Sequence, residues 1–290
     1  MPDCLDAAWP ENAPDEGAFR ALVREEGARL YRDLPWRGIG DAYAVLVSEV
    51  MLQQTQVKRV CGRWERFLAK FPTPDALAAA SVSDVVGEWQ GLGYNRRALA
   101  LKRAAEICSA DFKGKLPRTA PELQALPGIG PATAAGVVAF AYDEPAVYLE
   151  TNVRTVFLHE LFPDREGVKD AEIIPFVKAT CPQEDVRGWY YALLDLGAHL
   201  KATLANPSRR SAHHTRQSAF EGSRRQKRAE VVRIVLAAEE GIEPAQAKRQ
   251  LDAFERARGR DGVDGDAFAS IVADLCSEGF FSLDGGLLRA

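Results

Sequence analysis

Leu126-Pro127-Gly128-Ile129-Gly130-Pro131 is the stretch of sequence that decides the fold. Within it, Pro127 and Gly128 end one short helical segment, and Gly130 allows the backbone a sharp reversal. Pro131 suits the first position of the next helix, where its missing N–H is harmless. A turn of this kind leaves backbone N–H groups bare at a helix N-terminus. That arrangement predicts a seat for a DNA phosphate, bound directly or through a monovalent cation.

The residues that follow this turn favour phosphate binding over an ordinary corner between two helices. Ala132, Ala134 and Ala135 are small and let the second helix pack closely. Twenty residues after Gly130, Glu150 stands just before another helical segment and adds a carboxylate. Taken alone, the Gly-x-Gly turn would fit the corner better.

Apolar residues recur at helical spacing along most of the chain, which predicts a mostly α-helical architecture. Asp41 is the expected N-cap of the second helix. The alternation typical of strands is not sustained anywhere before residue 270. The predicted helices cover 18–32, 41–54, 57–71, 75–80, 82–90, 96–110, 120–125, 131–141, 152–161, 169–180, 186–201, 225–239, 244–251 and 266–278.

The last part of the chain, 226–290, has a pattern of its own. Three short helical segments precede two apolar runs on either side of Asp284-Gly285-Gly286, which is a hairpin signal. Three helices closed by a hairpin suggest a small winged-helix-like module, with a helical cap on the main body as the alternative. The stretch 206–225 is poor in large apolar residues, which is typical of an extended, basic connector.

Charge is unevenly distributed along the chain. Its 290 residues carry a net charge of −4, which argues mildly against a nucleic-acid partner. Between Lys201 and Glu230, however, eight basic residues stand against two acidic ones, a local balance of 8 − 2 = +6. Because a local cluster matters more for binding than the total, the sequence still allows a polyanionic partner.

Cysteine usage and hydropathy place the chain among cytoplasmic proteins. The five cysteines, at 4, 61, 108, 181 and 276, match no metal-binding spacing, so we expect reduced thiols. No apolar run reaches the length of a membrane span, and the N-terminus lacks the basic start of a signal peptide. We therefore expect a cytoplasmic protein without a membrane partner.

One further run is more specific than the hairpin, namely Ser48-Glu49-Val50-Met51-Leu52-Gln53-Gln54-Thr55-Gln56-Val57. It is accompanied, within residues 20–205, by Leu34-Pro35-Trp36-Arg37, Gly91-Leu92-Gly93-Tyr94, Asn152-Val153-Arg154 and 193–198. On these segments the chain resembles the helix-hairpin-helix DNA glycosylases of the endonuclease III superfamily. Within that superfamily it is most similar to the MutY-type A/G mismatch adenine glycosylases.

The resemblance implies an all-α, two-lobed fold with DNA bound between the lobes and a target nucleotide that leaves the base stack. One lobe would combine 18–40 with 150–205. The other would be a six-helix barrel over 41–149 that contains the helix-hairpin-helix motif at 120–141. The connector 206–225 and the winged-helix-like module 226–290 would follow. Such a protein is expected to bind double-stranded DNA as a monomer associated with the nucleoid.

The resemblance also implies the chemistry. Glu49 would protonate the leaving base and then help to activate water, and its apolar neighbours predict a raised pKa for its carboxyl group. Glu150 and Thr151 replace an Asp-Gly pair of the family. The longer Glu150 side chain would serve either as the second carboxylate or as a cap for the helix at Asn152. The family's lysine nucleophile corresponds to Ala132, so we expect a monofunctional enzyme without strand cleavage.

The remaining site predictions concern contacts with DNA. Gln53, Gln54 and Thr55 would fill the gap left by the flipped base, or simply cap a helix. A base pocket, or alternatively part of the core, is predicted from Trp36, Arg37, Leu52, Val57 and Asp195. The residues predicted to hold the DNA backbone are Leu126, Gly128, Ile129, Gly130, Thr133, Arg209 and Arg210.

Two departures from the family bear on cofactor and substrate. The region 201–214 has none of the cysteines that hold an iron–sulfur cluster in most relatives, so neither a cluster nor another metal is expected. The C-terminal segment is too short for the family's domain that reads 8-oxoguanine. Adenine is the best single prediction for the excised base. The alternatives are thymine, uracil, cytosine or hypoxanthine excised by the same machinery, or a non-catalytic DNA-binding protein.

Overall fold

The computed structural model describes residues 9–11, 13–214 and 219–290. Most of them lie in helices, so the predicted all-α architecture is confirmed. None of the described helices combines the length and apolar character that a membrane crossing requires. In chain order the elements are α1 Glu16–Leu30, α2 Ala42–Leu52, α3 Val57–Val60, α4 Arg63–Lys70, α5 Pro74–Ala79, α6 Val82–Trp89, α7 Arg96–Asp111, α8 Ala120–Gln124, α9 Pro131–Ala141, α10 Thr151–Glu160, α11 Asp170–Thr180, α12 Val186–Thr203, a 3-10 turn Pro207–Arg210, α13 Arg224–Leu236, α14 Pro244–Arg256, α15 Gly265–Glu278, β1 Ser282–Asp284 and β2 Leu287–Arg289.

Two predicted helices end early because a residue takes the left-handed backbone conformation. The predicted helix over 57–71 is divided into α3 and α4, since Gly62, with a φ of 75°, interrupts it. Helix α2 ends before Gln54, whose φ is 54°. A left-handed residue cannot continue a right-handed helix, so each of these positions starts a new segment.

The first of two compact units combines Met1–Val50 with Leu116–Arg216. Helix α12 is its central element and packs against α1, α9 and α10. The buried rings of Phe19, Phe157 and Trp189 meet in its core, where the Phe19 and Phe157 centroids are 5.1 Å apart. This core supports α10, the helix that Glu150 precedes.

The second unit combines Met51–Lys115 with Gln217–Ala290. The three C-terminal helices α13, α14 and α15 bury a hydrophobic cluster that also contains Val86 of α6 and Leu99 of α7. The core of the C-terminal segment is therefore continuous with that of the preceding helices. The predicted lobe, barrel and module ranges stay a prediction.

The hairpin predicted at the end of the chain is confirmed. Strands β1 and β2 pair antiparallel, with Leu283 opposite Leu288. Gly285 and Gly286 form the turn with φ values of 56° and 82°, which glycine adopts without a steric penalty. Ile242, between α13 and α14, pairs with Leu288 as an isolated bridge. The segment thus runs as helix, bridged residue, two helices and hairpin, and the winged-helix-like module stays a prediction.

The predicted connector 206–225 begins as a folded turn, so the expectation of an extended segment was wrong for its first residues. Asn206 Oδ1 accepts a hydrogen bond from the N–H of Ser208 at 3.1 Å and so caps the 3-10 turn. Val168 and Ser211 then pair as a short parallel bridge. The turn packs against α10. The cap joins residues that are close in sequence, Asn206 and Ser208, whereas the bridge joins Ser211 to Val168, which is distant in sequence.

Candidate active site

Glu49 lies near the end of α2, which begins at the predicted cap. Asp41 Oδ1 accepts a hydrogen bond from the N–H of Tyr43 at 2.9 Å, so the cap is confirmed. The Glu49 side chain is partly buried and its carboxyl group approaches Gly136 of α9. A Cβ atom at position 136 would lie 2.3 Å from Glu49 Oε2. The absence of a side chain at Gly136 therefore makes room for the carboxyl group.

Tyr148 is the hydrogen-bond partner of this carboxyl group. Its hydroxyl donates to Glu49 Oε2 at 3.2 Å. The Tyr148 ring is buried, edge-on to Phe140 at 5.1 Å and to Tyr190 at 5.3 Å between centroids. Tyr190 also holds the Tyr148 backbone, since its hydroxyl accepts the Tyr148 N–H at 3.2 Å. Sequence reasoning missed Tyr148, because an aromatic residue two positions before Glu150 carries no catalytic signal by itself.

The environment of Glu49 keeps its proton on at neutral pH. Burial raises the pKa of the carboxyl group to about 8, and the charge of Glu150 acts in the same direction. The Tyr148 hydroxyl opposes this, because it stabilises the ionised form by donating a hydrogen bond. The direction expected from the sequence is confirmed. A carboxylic acid that is still protonated near neutral pH can act as a general acid.

Glu150 is the N-cap of α10, and capping is one of the two roles predicted for it from the sequence. Its Oε1 accepts hydrogen bonds from the N–H groups of Asn152 at 2.6 Å and Val153 at 3.0 Å. Burial raises the pKa of the Glu150 carboxyl group, and these two N–H donors together with the charges of Lys201 and Arg154 oppose that rise. The cap occupies Oε1 and leaves Oε2 near the Asn152 amide at 3.5 Å.

Lys201 of α12 reaches the same end of α10. From the sequence it was recognised only as a member of the basic cluster. Its Nζ donates to Asn152 Oδ1 at 3.2 Å, and Asn152 Nδ2 points towards Glu150 Oε2. A cation thus lies one side chain away from the Glu150 carboxyl group. The charge of Lys201 opposes the rise that burial causes in the pKa of the Glu150 carboxyl group.

The hairpin has the expected shape with one correction. Gly128, with a φ of 76°, is the left-handed residue of the turn, whereas Gly130 is extended, with φ −85° and ψ 176°. The reversal predicted at Gly130 therefore takes place at Gly128. Leu126 and Ile129 are buried and anchor the turn, while both glycines are exposed. Among the described residues no hydrogen bond takes up the N–H of Gly128 or Gly130.

Helix α9 connects this turn to the carboxyl group. Gly130 is its N-cap, Ala132 and the buried Thr133 lie in its first turn, and Gly136 abuts Glu49. Six residues of α-helix span about 9 Å. An anion bound at the exposed N-terminus would therefore be held at a fixed distance from the acid by a single rigid element.

Arg37 and Asp195 form an ion pair with each other, so their polar groups are directed at each other rather than at a pocket for a base. Arg37 Nη1 and Nη2 donate to the two carboxylate oxygens of Asp195 at 2.7 and 2.8 Å, and both side chains are buried. The Arg37 guanidinium also lies 4.5 Å from the centroid of Tyr191. Among the pocket candidates, the structure thus favours the alternative of a core ion pair for these two. Trp36 is buried as well.

The predicted gap-filling residues form the loop after α2, in the second unit. Gln53 and Thr55 are partly buried and Gln54 is exposed. Arg97 of α7 holds this loop: its Nη1 donates to Gln53 O at 2.6 Å and its Nη2 to Thr55 Oγ1 at 3.0 Å. Leu52 and Val57 flank the loop and are partly buried. No pattern in the sequence selects Arg97, because its partners lie about forty positions away along the chain.

Part of the basic cluster of the sequence is neutralised by ion pairs with carboxylates of α15. Arg224 binds Asp274 at 2.6 Å and Arg228 binds Glu278 at 2.6 Å, so carboxylates about fifty residues away offset these charges. Arg209 is exposed and makes no ion pair with another described residue. The remaining backbone-binding candidate, Arg210, donates from Nη1 to Pro163 O. Residues 215–218, including Arg216, lie outside the described residues.

Comparison with known proteins gives this geometry a family context. Residues 47–173, which contain Glu49, the hairpin and Glu150, match the model of the HhH-GPD superfamily base excision DNA repair proteins. The adenine DNA glycosylase of Mycolicibacterium smegmatis is 38% identical over 169 residues, which are 58% of this chain and 58% of that protein. The adenine DNA glycosylase of Mycobacterium tuberculosis is 43% identical over 129 residues, 44% of this chain and 42% of that protein. The chain thus spans less than two thirds of the length of these relatives.

Solved structures show the same fold. A thermostable thymine-DNA glycosylase matches with a TM-score of 0.58 and 24% identity, over 63% of this chain and 86% of that one. A trapped endonuclease III–DNA covalent intermediate matches with a TM-score of 0.54 and 21% identity, over 62% of this chain and 85% of that one. The helix-hairpin-helix domain that the sequence predicted is therefore confirmed.

Proposed function

We propose that this chain, which carries an HhH-GPD domain over residues 47–173, is a monofunctional DNA glycosylase that extrudes a mispaired or damaged adenine and hydrolyses its N-glycosidic bond. The observation that carries the proposal is the Glu49 carboxyl group. It has a pKa raised to about 8, a hydrogen bond from Tyr148 and a niche created by Gly136 on the hairpin helix. These features give a proton donor beside a turn suited to DNA.

The chemistry follows from the two carboxyl groups. Glu49 donates its proton to a ring nitrogen of the leaving base, so that the pair of electrons in the C1′–N bond departs with a neutral base. The positive charge that develops on the sugar is stabilised by the Glu150 carboxylate, through the oxygen that the helix cap leaves available. Water then adds to C1′ and its proton returns to Glu49, which restores the starting state.

The hairpin holds the DNA while this takes place. The exposed N–H groups of Gly128 and Gly130 would receive a backbone phosphate at the start of α9, directly or through a monovalent cation. Arg209 would add a second phosphate contact. Because a base inside a duplex cannot be reached, the target nucleotide must be flipped out, with Gln53, Gln54 and Thr55 as candidates for the space it leaves. We propose a monomer that acts on double-stranded DNA in the nucleoid.

We also propose that the protein does not cleave the DNA strand and does not hold an iron–sulfur cluster. Ala132 lacks an amine and cannot form a Schiff base. Borohydride trapping should therefore yield no covalent protein–DNA adduct. If an adduct formed, Lys201 would be the first amine to test by substitution, because it lies next to Asn152 and Glu150. Region 201–214 contains no cysteine, so purified protein should contain no iron and show no cluster absorbance.

Adenine is proposed because the similar curated proteins are adenine DNA glycosylases. The test is a panel of labelled duplexes with each base opposite each partner, 8-oxoguanine included, treated with alkali after incubation. Excision of adenine that is lost in Glu49→Gln would support the proposal. Excision of thymine, uracil, cytosine or hypoxanthine instead would assign the same chemistry to another base. If no duplex is cleaved but all are bound, the chain is a DNA-binding protein without glycosylase activity.

A further inference from the structure

Three exposed side chains of the second unit, those of Gln54, Tyr94 and Lys113, stand on backbone conformations that residues with a Cβ atom seldom adopt, and the loops of the first two share a partner. Gln54, just after α2, has a φ of 54°, and Tyr94, just before α7, has a φ of 48°. The Tyr94 side chain is 39% exposed. Surface residues held in the left-handed region need support from their surroundings, and such positions are concentrated at functional sites.

Arg97 supplies this support to both loops at once. On one side it donates to Gln53 O at 2.6 Å and to Met51 O at 3.0 Å. On the other side its Nη2 donates to Gly93 O at 2.9 Å, and its guanidinium carbon lies 5.5 Å from the centroid of the Tyr94 ring. The backbone next to Gln54 and the backbone next to Tyr94 are therefore fixed by a single guanidinium group.

The C-terminal segment supplies a second guanidinium group to Tyr94. Arg225, in the first turn of α13, donates from Nη1 to the Tyr94 hydroxyl at 2.8 Å. Its guanidinium carbon lies 5.8 Å from the Tyr94 ring centroid. Both arginines are thus within the range in which a cation attracts an aromatic ring. The Tyr94 ring is held by a hydrogen bond at its hydroxyl and by two cations near its ring.

Helix α13 is firmly attached to the helices that carry this loop. Its buried apolar residues belong to the cluster that includes Val86 of α6 and Leu99 of α7. Arg228 of α13 and Arg96 of α7 both bind the carboxylate of Glu278. An anchor on α13 therefore does not move independently of the Tyr94 loop.

We propose that the C-terminal segment 224–290 braces the surface that Gln54 and Tyr94 would present to DNA. Arg225 is the positioning residue that holds Tyr94 ready to enter the base stack beside Gln54. The inference rests on the proposed glycosylase function. A side chain that replaces an extruded base should be rigid before the DNA binds. If it were ordered only during the reaction, its loss of conformational entropy would oppose extrusion of the base. The contact from Arg225 fixes the ring in advance.

Arg224 provides a matched control on the same helix turn. Its Nη2 donates to Asp274 Oδ2 at 2.6 Å and to Ser270 Oγ at 3.0 Å, so it binds α15 rather than the Tyr94 loop. The variants Arg225→Ala and Arg224→Ala remove the same charge and the same side-chain volume one residue apart. Any effect of net charge on DNA binding is therefore common to both.

The experiment measures base extrusion and excision separately. Extrusion is followed by the fluorescence of 2-aminopurine placed next to the target base, and excision by single-turnover cleavage. We expect Arg225→Ala to lower both rates about tenfold on a fully paired duplex, equivalent to about 1.4 kcal/mol. Arg224→Ala should match the wild type. On a duplex whose target base lies opposite an abasic site, and so needs little help to leave the stack, Arg225→Ala should excise at the wild-type rate.

Three outcomes would overturn the brace. These are wild-type rates for Arg225→Ala on the paired duplex, the same loss in Arg224→Ala, or an equal loss on the paired and abasic duplexes. Thermal unfolding of both variants checks that they are folded. If Arg225→Ala is not, Tyr94→Phe removes only the hydroxyl and should show part of the same loss. Failure of the wild type to excise any base would instead refute the proposed glycosylase activity.

Discussion

Removing the Tyr148 hydroxyl is the most direct test of how the acid is controlled. In the proposed mechanism Glu49 acts while protonated, so the single-turnover rate should fall as the pH rises through the Glu49 pKa of about 8. Tyr148→Phe removes the hydrogen bond to Glu49 Oε2 at 3.2 Å, which stabilises the ionised form. Without it the ionised form is less favourable, so the pKa of Glu49 rises and the alkaline limb moves to higher pH.

The size of this shift can be worked from the hydrogen bond. A hydrogen bond to a charged group contributes about 1.5 kcal/mol at the lower end of its range, which suits the length of this one. At about 1.36 kcal/mol per pH unit, the midpoint of the alkaline limb should move up by about one unit. The maximal rate on the acid side should also fall, because the carboxyl group loses the hydrogen bond from Tyr148 that orients it.

The assay is single-turnover excision of the base identified with the duplex panel, measured across the neutral and alkaline range. Tyr142→Phe is the control, since the Tyr142 hydroxyl donates to Pro117 O, away from Glu49. Its pH profile should match that of the wild type. A midpoint for Tyr148→Phe that is unchanged, or that moves to lower pH, would refute the reasoning.

Four further variants test the rest of the site. Gly136→Ala places a Cβ 2.3 Å from Glu49 Oε2, so the acid must shift; single-turnover excision should fall about a hundredfold, with little change in thermal stability. Glu150→Gln keeps the cap and loses the charge, and should reduce excision more than Glu150→Asp; equal, full activity in the Gln variant would end the catalytic role. Gly130→Glu should weaken binding of all duplexes alike in a titration, and a loss confined to one sequence would contradict a phosphate grip. Glu49→Gln should abolish excision and also stabilise the fold in thermal unfolding. That stabilisation should be absent below about pH 4.5, grow as the unfolded chain ionises and be complete above about pH 8, because the folded state disfavours the charged carboxylate.

Local physics determined much of this protein in advance. Helix positions follow from apolar spacing, and both predicted caps, Asp41 for α2 and Glu150 for α10, depend on residues two or three positions away. The raised pKa of Glu49 could also be expected, since its neighbours on α2 are apolar. The predictions that went wrong were local ones as well: a left-handed Gly62 splits a helix, and the hairpin reverses at Gly128 rather than Gly130.

Only the tertiary structure decided which side chains meet across long separations. Tyr148 reaches Glu49 over 99 positions, and Arg225 reaches Tyr94 over 131. Asp195 is used by Arg37, 158 positions away, so two residues that looked available for a base are paired in the core. The physical reason is that hydrogen bonds and ion pairs depend on distance in space, whereas periodicity and capping depend on neighbours along the chain. The sequence therefore selected Glu49 as the candidate acid, and the fold determined which side chains hold it in place.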